Sequence, residues 1–429
     1  MPTIIDPLTF YRALYAPVIE QIIYCNMAQF LTPTVFILSI GYWLARLGRL
    51  SQKASIAVSS LKGMLFVFCW CIYNYQPNTG DDIAYCSTGH HLQCYELWNI
   101  FTICWLSPSE VCYAKLNACV MPFLGNVYIA PVAFNVTCSI AAAAISKSII
   151  EYVFPKLKAQ SFFFFFAFCP SMLAWSTAYN LKETFLLLLV VLFAKAMQLF
   201  LSGRYYIASI IACFACWMMH GIRFYSAFIL MILYGVCAVV SWIAKNRISM
   251  SRIIVCGCIL SACIFFATWI LWGCDLDTYA LKISATLNCF SISSPLKTLS
   301  LFWLHPLPLR LRLSSAYRIL FASAVWTWAL LPFCVVGVRK LWCETEQKFF
   351  CVFIFGFAVI MWIFYAFAID GGLSSPRQRF QLEFTIALCQ FAGICWAIEK
   401  WPLIKESLRE WRTSFGKRRV TAPDKIALL

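Results

Sequence analysis

The sequence predicts an all-α fold, a polytopic transmembrane helical bundle of about eleven spans, and three observations predict it. Apolar residues make up 62% of the 429 residues and charged ones 12%, against roughly 45–50% and about 25% in ordinary soluble domains. Mean hydropathy is +0.77. Apolar runs near the length that crosses a bilayer, about 20 residues, recur along the chain.

Eleven runs qualify: 29–47, 58–75, 124–146, 161–179, 181–201, 204–220, 223–244, 253–273, 317–338, 349–369 and 380–398. Pro33 interrupts the first. Residues 1–399 therefore read as one transmembrane domain, with long loops at 76–121 and 274–316, and 400–429 as a basic tail. The N-terminal stretch has no basic region followed by a short apolar core and a small-residue site, so no cleaved signal peptide is expected.

The balance of 34 Lys and Arg against 18 Asp and Glu, a net +16, would point to nucleic acid in a soluble chain. In a membrane chain it reports the preference of Lys and Arg for cytoplasmic loops, and no nucleic-acid partner is expected. The tail carries Lys400, Lys405, Arg409, Arg412, Lys417, Arg418, Arg419 and Lys425, which places it in the cytoplasm. Alternation through the spans then puts Arg46, Arg49, Lys53, Lys147, Lys156, Lys158, Arg204, Lys245, Arg247, Arg252, Arg339, Lys340 and Lys348 on the same side. Both long loops face outward, across a plasma or inner membrane.

The 23 cysteines sit mostly inside apolar runs without metal-ligand spacing and read as small packing residues. Cys86, Cys94, Cys104 and Cys112 share one outer loop, where four cysteines allow three pairings. The sequon Asn135-Val136-Thr137 lies inside a span and is a chance match.

Several outer stretches hold charge against this trend. "QPNTGDDIAYCSTGHH" keeps Asp81 and Asp82 just beyond a span, where carboxylates serve as a general base, hold a metal or bind a cation; the plainer reading is a solvated turn. The following Leu92, Tyr95, Leu97, Trp98, Phe101, Ile103 and Trp105 form a series too short to span, and predict an amphipathic helix lying at the interface.

In "CPSMLAWSTAYNLKETF", Asn180 and Glu183 have the spacing of a capping box. Lys182 then stands where the helix dipole disfavours a cation, which suggests an anionic partner. "MMHGIRFYS" places Arg223 in a tight outer turn. "LHPLPLRLRLSSAYR" adds Arg310, Arg312 and Arg318, and "AIDGGLSSPRQRFQLEF" adds Asp370, Arg377 and Arg379. Arginines retained outside suit bidentate binding of phosphate or carboxylate; snorkelling or pairing with Glu383 is the plainer account.

The order of these stretches, "GDDIAY", "CPSMLAWSTAYNLKETFLLLL" with Arg204 after it, "GIRFYSAFIL", "LFWLHPLPLRLR" and "PRQRFQLEF", resembles the bacterial branch of the GT-C glycosyltransferase superfamily. Its members are polytopic enzymes related to dolichyl-phosphate-mannose protein mannosyltransferases. The likeness touches most of the chain, through short motifs. Two features depart from the pattern: an extra span precedes the one leading into the acidic loop, and no large soluble C-terminal domain follows, which argues against protein N-glycosylation.

The resemblance implies a GT-C-like fold and a polyprenyl-phosphate-linked sugar donor, transferred to a glycan, lipid or protein acceptor on the extracytoplasmic face. Asp82, or Asp81, would be the base; Lys182, Arg223, Arg377 and Arg379 would hold the donor phosphate; Tyr85 and His90 or His91 would contact sugar or acceptor. A divalent cation, Mg or Mn, on the two aspartates is compatible with this chemistry.

Two rivals remain. An O-antigen polymerase or ligase would rely on the arginines. A transporter or flippase would carry ionisable residues at mid-span and paired broken helices, whereas the sequence predicts charges at span ends, with Lys195 close enough to the cytoplasmic end to snorkel.

Overall fold

The computed structural model describes residues 27–72, 85–86, 89, 111–125, 128–246, 315–368 and 379–420, and these are helical with short connections. α1 covers Met27–Leu47 and continues through Pro33. α2 covers Gln52–Val67 and runs into a π-helical turn over Phe68–Ile72. α3 is Val111–Val120, followed by a 3₁₀ turn at Met121–Leu124. α4 is Ile129–Val153, α5 Ala159–Ala167, α6 Pro170–Thr177 and α7 Glu183–Leu201. α8, Tyr205–Asn246, is broken at Arg223. α9 is Ser315–Glu344, α10 Lys348–Ala368, and α11 Glu383–Val420, entered through a 3₁₀ turn at Phe380–Leu382.

Nine helical segments among the described residues are long and apolar enough to cross a membrane. α5 and α6 make one further span if the pair, bent by 50° at Phe168–Cys169, is taken as a unit. This matches the expected spans one for one, except that 253–273 lies outside the described residues. The break has a local cause: Pro170 at the first position of α6 has no amide to give to α5.

Two boundaries differ from expectation. The second span begins at Gln52, not 58, because the Ser51 side chain accepts the Ala54 amide and starts the helix there. Lys62 is thereby moved from a span end to the middle of Gln52–Trp70. The third span runs from Ile129 to Val153 rather than 124–146, so Lys147 is buried within a helix and pairs with Glu151 at 2.5 Å. Lys195 is held by Ser148 at 3.0 Å and Gln198 at 2.6 Å.

α1 packs on α2 and α4, α7 lies between α4 and α8, α8 packs on α10, and α9 on α11. Tyr234, beyond the break in α8, lies against Phe193 and Phe200 of α7, and Phe200 also meets Tyr205. The chain therefore doubles back at Arg223.

Helix direction then sorts the charges. Arg46, Arg49, Lys53, Lys156, Lys158, Arg204, Arg339, Lys340, Lys348 and Lys400 gather at one end of the bundle. Contacts there join its elements: Thr345 donates to the Val153 carbonyl at 2.9 Å, and Lys340 reaches Glu399 at 2.7 Å.

Candidate functional site

The opposite end of the bundle is polar inside. Arg223 has φ −156° and ψ 80°, an extended conformation that ends one span and begins the next. Its guanidinium is buried and forked: Nη2 donates to Glu183 Oε1 at 3.2 Å and Nη1 to the Tyr365 hydroxyl at 3.3 Å. Tyr365 also accepts from Gln381 Nε2 at 2.6 Å and lies 3.0 Å from the Tyr225 hydroxyl. Ser226 donates to Gln381 Oε1 at 2.9 Å. Four elements, α7, α8, α10 and the turn into α11, are thus joined through one arginine and its neighbours.

Beside this fork stands Lys182, buried, with Nζ 5.6 Å from the centre of the Tyr85 ring. Such an arrangement attracts a cation to the ring face. Tyr85 meets Tyr113 edge-on at 5.2 Å. The Tyr113 hydroxyl lies 3.2 Å from Asn135 Oδ1 and 3.3 Å from Asn180 Oδ1, its single proton serving one or the other, and Asn117 Nδ2 donates to Asn180 Oδ1 at 3.3 Å. Burial pushes the Tyr113 phenol well above its usual range, the Asn135 contact opposing, so it stays a neutral donor and acceptor.

The expected capping box at α7 is not formed. Lys182, not Asn180, precedes the first helical residue, and no side chain caps it. Asn180 is drawn into the Tyr113–Asn117 network, and Glu183 turns to Arg223. Asn135, the sequon asparagine, is fully buried and donates to the carbonyls of Tyr179 at 3.2 Å and Leu181 at 3.0 Å. Those bonds hold the α6–α7 connection that carries Lys182.

Arg379 is buried where the chain enters α11. Burial pushes its guanidinium below the usual arginine range, and Glu383 pulls back the other way; an arginine still keeps its proton. Its neighbour Phe380 packs on Trp175, whose carbonyl accepts from Thr184 at 3.1 Å.

Of the residues singled out in the sequence, Tyr85, Lys182, Arg223 and Arg379 are thus gathered at one end of the bundle. Asp81, Asp82, His90, His91 and Arg377 lie outside the described residues, as does most of the expected interfacial helix. Glu183, Tyr365 and Gln381 escaped the sequence reading. Glu183 looked fully accounted for as a helix cap, and Tyr365 sits in an apolar run with nothing in its spacing to mark it.

The grouping could serve an anion with several oxygens: three buried cationic side chains, two of them beside glutamates, lie at one end of the bundle with hydroxyl and amide donors, in a low-dielectric setting where charge-assisted hydrogen bonds are strong. Among the described residues no three His, Cys, Asp or Glu side chains are placed to share a metal. Comparison of the chain with models of protein families, with characterised proteins and with solved structures gives no match.

Proposed function

We propose that this protein is an integral membrane glycosyltransferase that moves a sugar from a polyprenyl-phosphate-linked donor to an acceptor at the end of the bundle opposite the basic loops. The observation that supports the reading is that Lys182, Arg223 and Arg379 are all buried at that end, with Tyr85 against Lys182. Asp82 stands three residues before Tyr85 in the chain, and three residues span at most about 11 Å.

In the reaction so assigned, Asp82 takes the proton of the acceptor hydroxyl. The acceptor oxygen bonds to the anomeric carbon as the bond from that carbon to the phosphate oxygen breaks. The electron pair leaves with the lipid phosphate, and Lys182, Arg223 and Arg379 stabilise the charge that develops there. The polyprenyl tail remains between helices. Glu183 keeps Arg223 oriented, and the aromatic face of Tyr85 suits a sugar ring.

The test is turnover of polyprenyl-phosphate sugars by the purified protein in liposomes. Transfer should occur with at least one donor and be lost in Asp82→Asn; failure on every donor sinks the reading. A transporter or flippase is the second reading, favoured by mid-span Lys62 and the broken pair α5–α6. Substrate movement across the liposome membrane without transfer would select it.

A further inference from the structure

Lys62 belongs to no part of the site above. It is fully buried near the middle of the span Gln52–Trp70, and its Nζ has no hydrogen-bond partner among the described residues. The group faces the break between α5 and α6: Nζ is 5.6 Å from the centre of the Phe168 ring, and Cys169 is the titratable residue whose field it feels. Cys169 is buried and precedes α6. Its Sγ donates to Glu383 Oε1 at 3.7 Å and accepts the Met172 amide.

Glu383, buried as well, also takes a hydrogen bond from Ser171 and lies in the field of Arg379. Ser171 and Ser323 hydroxyls are 2.8 Å apart. A hydrogen-bonded chain thus runs from Ser323 on α9 through Ser171 and Glu383 to Cys169, and the Lys62 amine stands beside it, unbonded among the described residues.

From this geometry we propose that Lys62, Cys169 and Glu383 form a membrane-buried proton-binding site, whose carboxylate shares Arg379 with the proposed donor site. The members are enclosed by protein, so the ligand that fits is a proton and not a larger ion. With the amine unprotonated, the thiol donates to Glu383, and Arg379 balances that carboxylate. On uptake, one N–H bond forms at Nζ with a proton taken from the aqueous phase, and the site gains one positive charge. Cys169 then lies between an ammonium and a carboxylate, so its S–H bond reports the change directly.

The experiment is infrared spectroscopy of the full chain in lipid nanodiscs. The S–H stretching band of Cys169, assigned by subtracting the Cys169→Ser spectrum, should shift between acidic and alkaline buffer in the natural protein. It should hold one position in Lys62→Met, and in Lys62→Arg, whose guanidinium keeps its proton. In Glu383→Gln the shift should shrink or vanish; this variant carries the test if neither Lys62 variant folds. A band that does not move with pH in the natural protein, or moves equally in all folded variants, overturns the proposal. Sugar transfer assayed on the Lys62 variants, which leave Arg379 and its carboxylate in place, reports the other reading separately.

Discussion

At Arg223 folding and the proposed function draw on one side chain. A guanidinium with five donors in a fixed plane can serve Glu183 and Tyr365 together; an ammonium in its place keeps the charge but loses the fork. Arg223→Lys should therefore insert normally and lower transfer about ten- to a hundredfold, from the ~1.5–3 kcal/mol carried by a hydrogen bond to a charged group, as measured by steady-state rates at saturating donor. Glu183→Gln acts differently. It removes a carboxylate that is 1% exposed, and breaking one side of a buried pair costs roughly 3–5 kcal/mol. Thermal unfolding in detergent should fall clearly for Glu183→Gln and recover in part in Glu183→Gln/Arg223→Met, where neither charge remains. Asp82→Asn should leave unfolding untouched while transfer falls by at least about 10²-fold, the lower end for loss of a general base.

These residues were legible in the sequence to different degrees. Lys182 stood out as a cation at a helix start, where the dipole disfavours one, and Arg223 and Arg379 because arginines on an expected outer face run against the bias that sets topology. Glu183 and Lys62 did not: one had a sufficient local explanation as a cap, and the other, close to the start of a span begun at 58, was not singled out. Ser51, followed by Gln52-Lys53-Ala54, is the capping signal that would have moved that boundary. Tyr113, Asn117, Asn135 and Asn180 come from three elements far apart in sequence, and pairings of that kind carry no short-range pattern.

Between helices, glycine decides how closely the chain can pack. α9 and α11 cross where Gly337 faces the Cys389 carbonyl and Gly393 faces that of Phe333: a Cβ would lie 1.8 Å and 1.9 Å from those oxygens. Backbone atoms cannot swing aside as a side-chain tip does. Small residues at such crossings let helix backbones approach where lipid gives no hydrophobic drive for association. On propensity alone, alanine in a helix interior is favoured over glycine by about 1 kcal/mol, so a loss on substitution measures the crossing itself. Gly337→Ala and Gly393→Ala should each lower stability by about 1–3 kcal/mol, the usual cost of overpacking, seen as a lower unfolding temperature by tryptophan fluorescence. Gly41→Ala is the comparison. Its Cβ would meet the Ile140 Cδ1 tip at 2.8 Å, which can rotate, so this variant should stay close to the natural protein. Equal losses at all three positions would show that the α9–α11 contact is not specially tight.

Over the whole molecule, charge is divided between two ends in different ways. The end with Arg46, Arg49, Lys53, Arg204 and Lys348 holds cations at the mouths of helices, several of them exposed, while Lys182, Arg223 and Arg379 at the other end are drawn inside among tyrosines, amides and glutamates. Exposed lysines and arginines flanking spans are what cytoplasmic loops collect; buried ones against that bias are better explained by something they hold. The orientation this assigns is open to direct measurement in a background cleared of the 23 native cysteines. Single cysteines at Lys53 and Glu346, both exposed at the basic end, should react with a membrane-impermeant maleimide only after cells are permeabilised. One at Asn78, four residues before Asp82, should react in intact cells. The opposite pattern would turn the Lys182–Arg223–Arg379 cluster to the cytoplasm, where soluble nucleotide-sugars compete as donors. The lipid-linked donor would then lose the reason for which the cations were assigned to it.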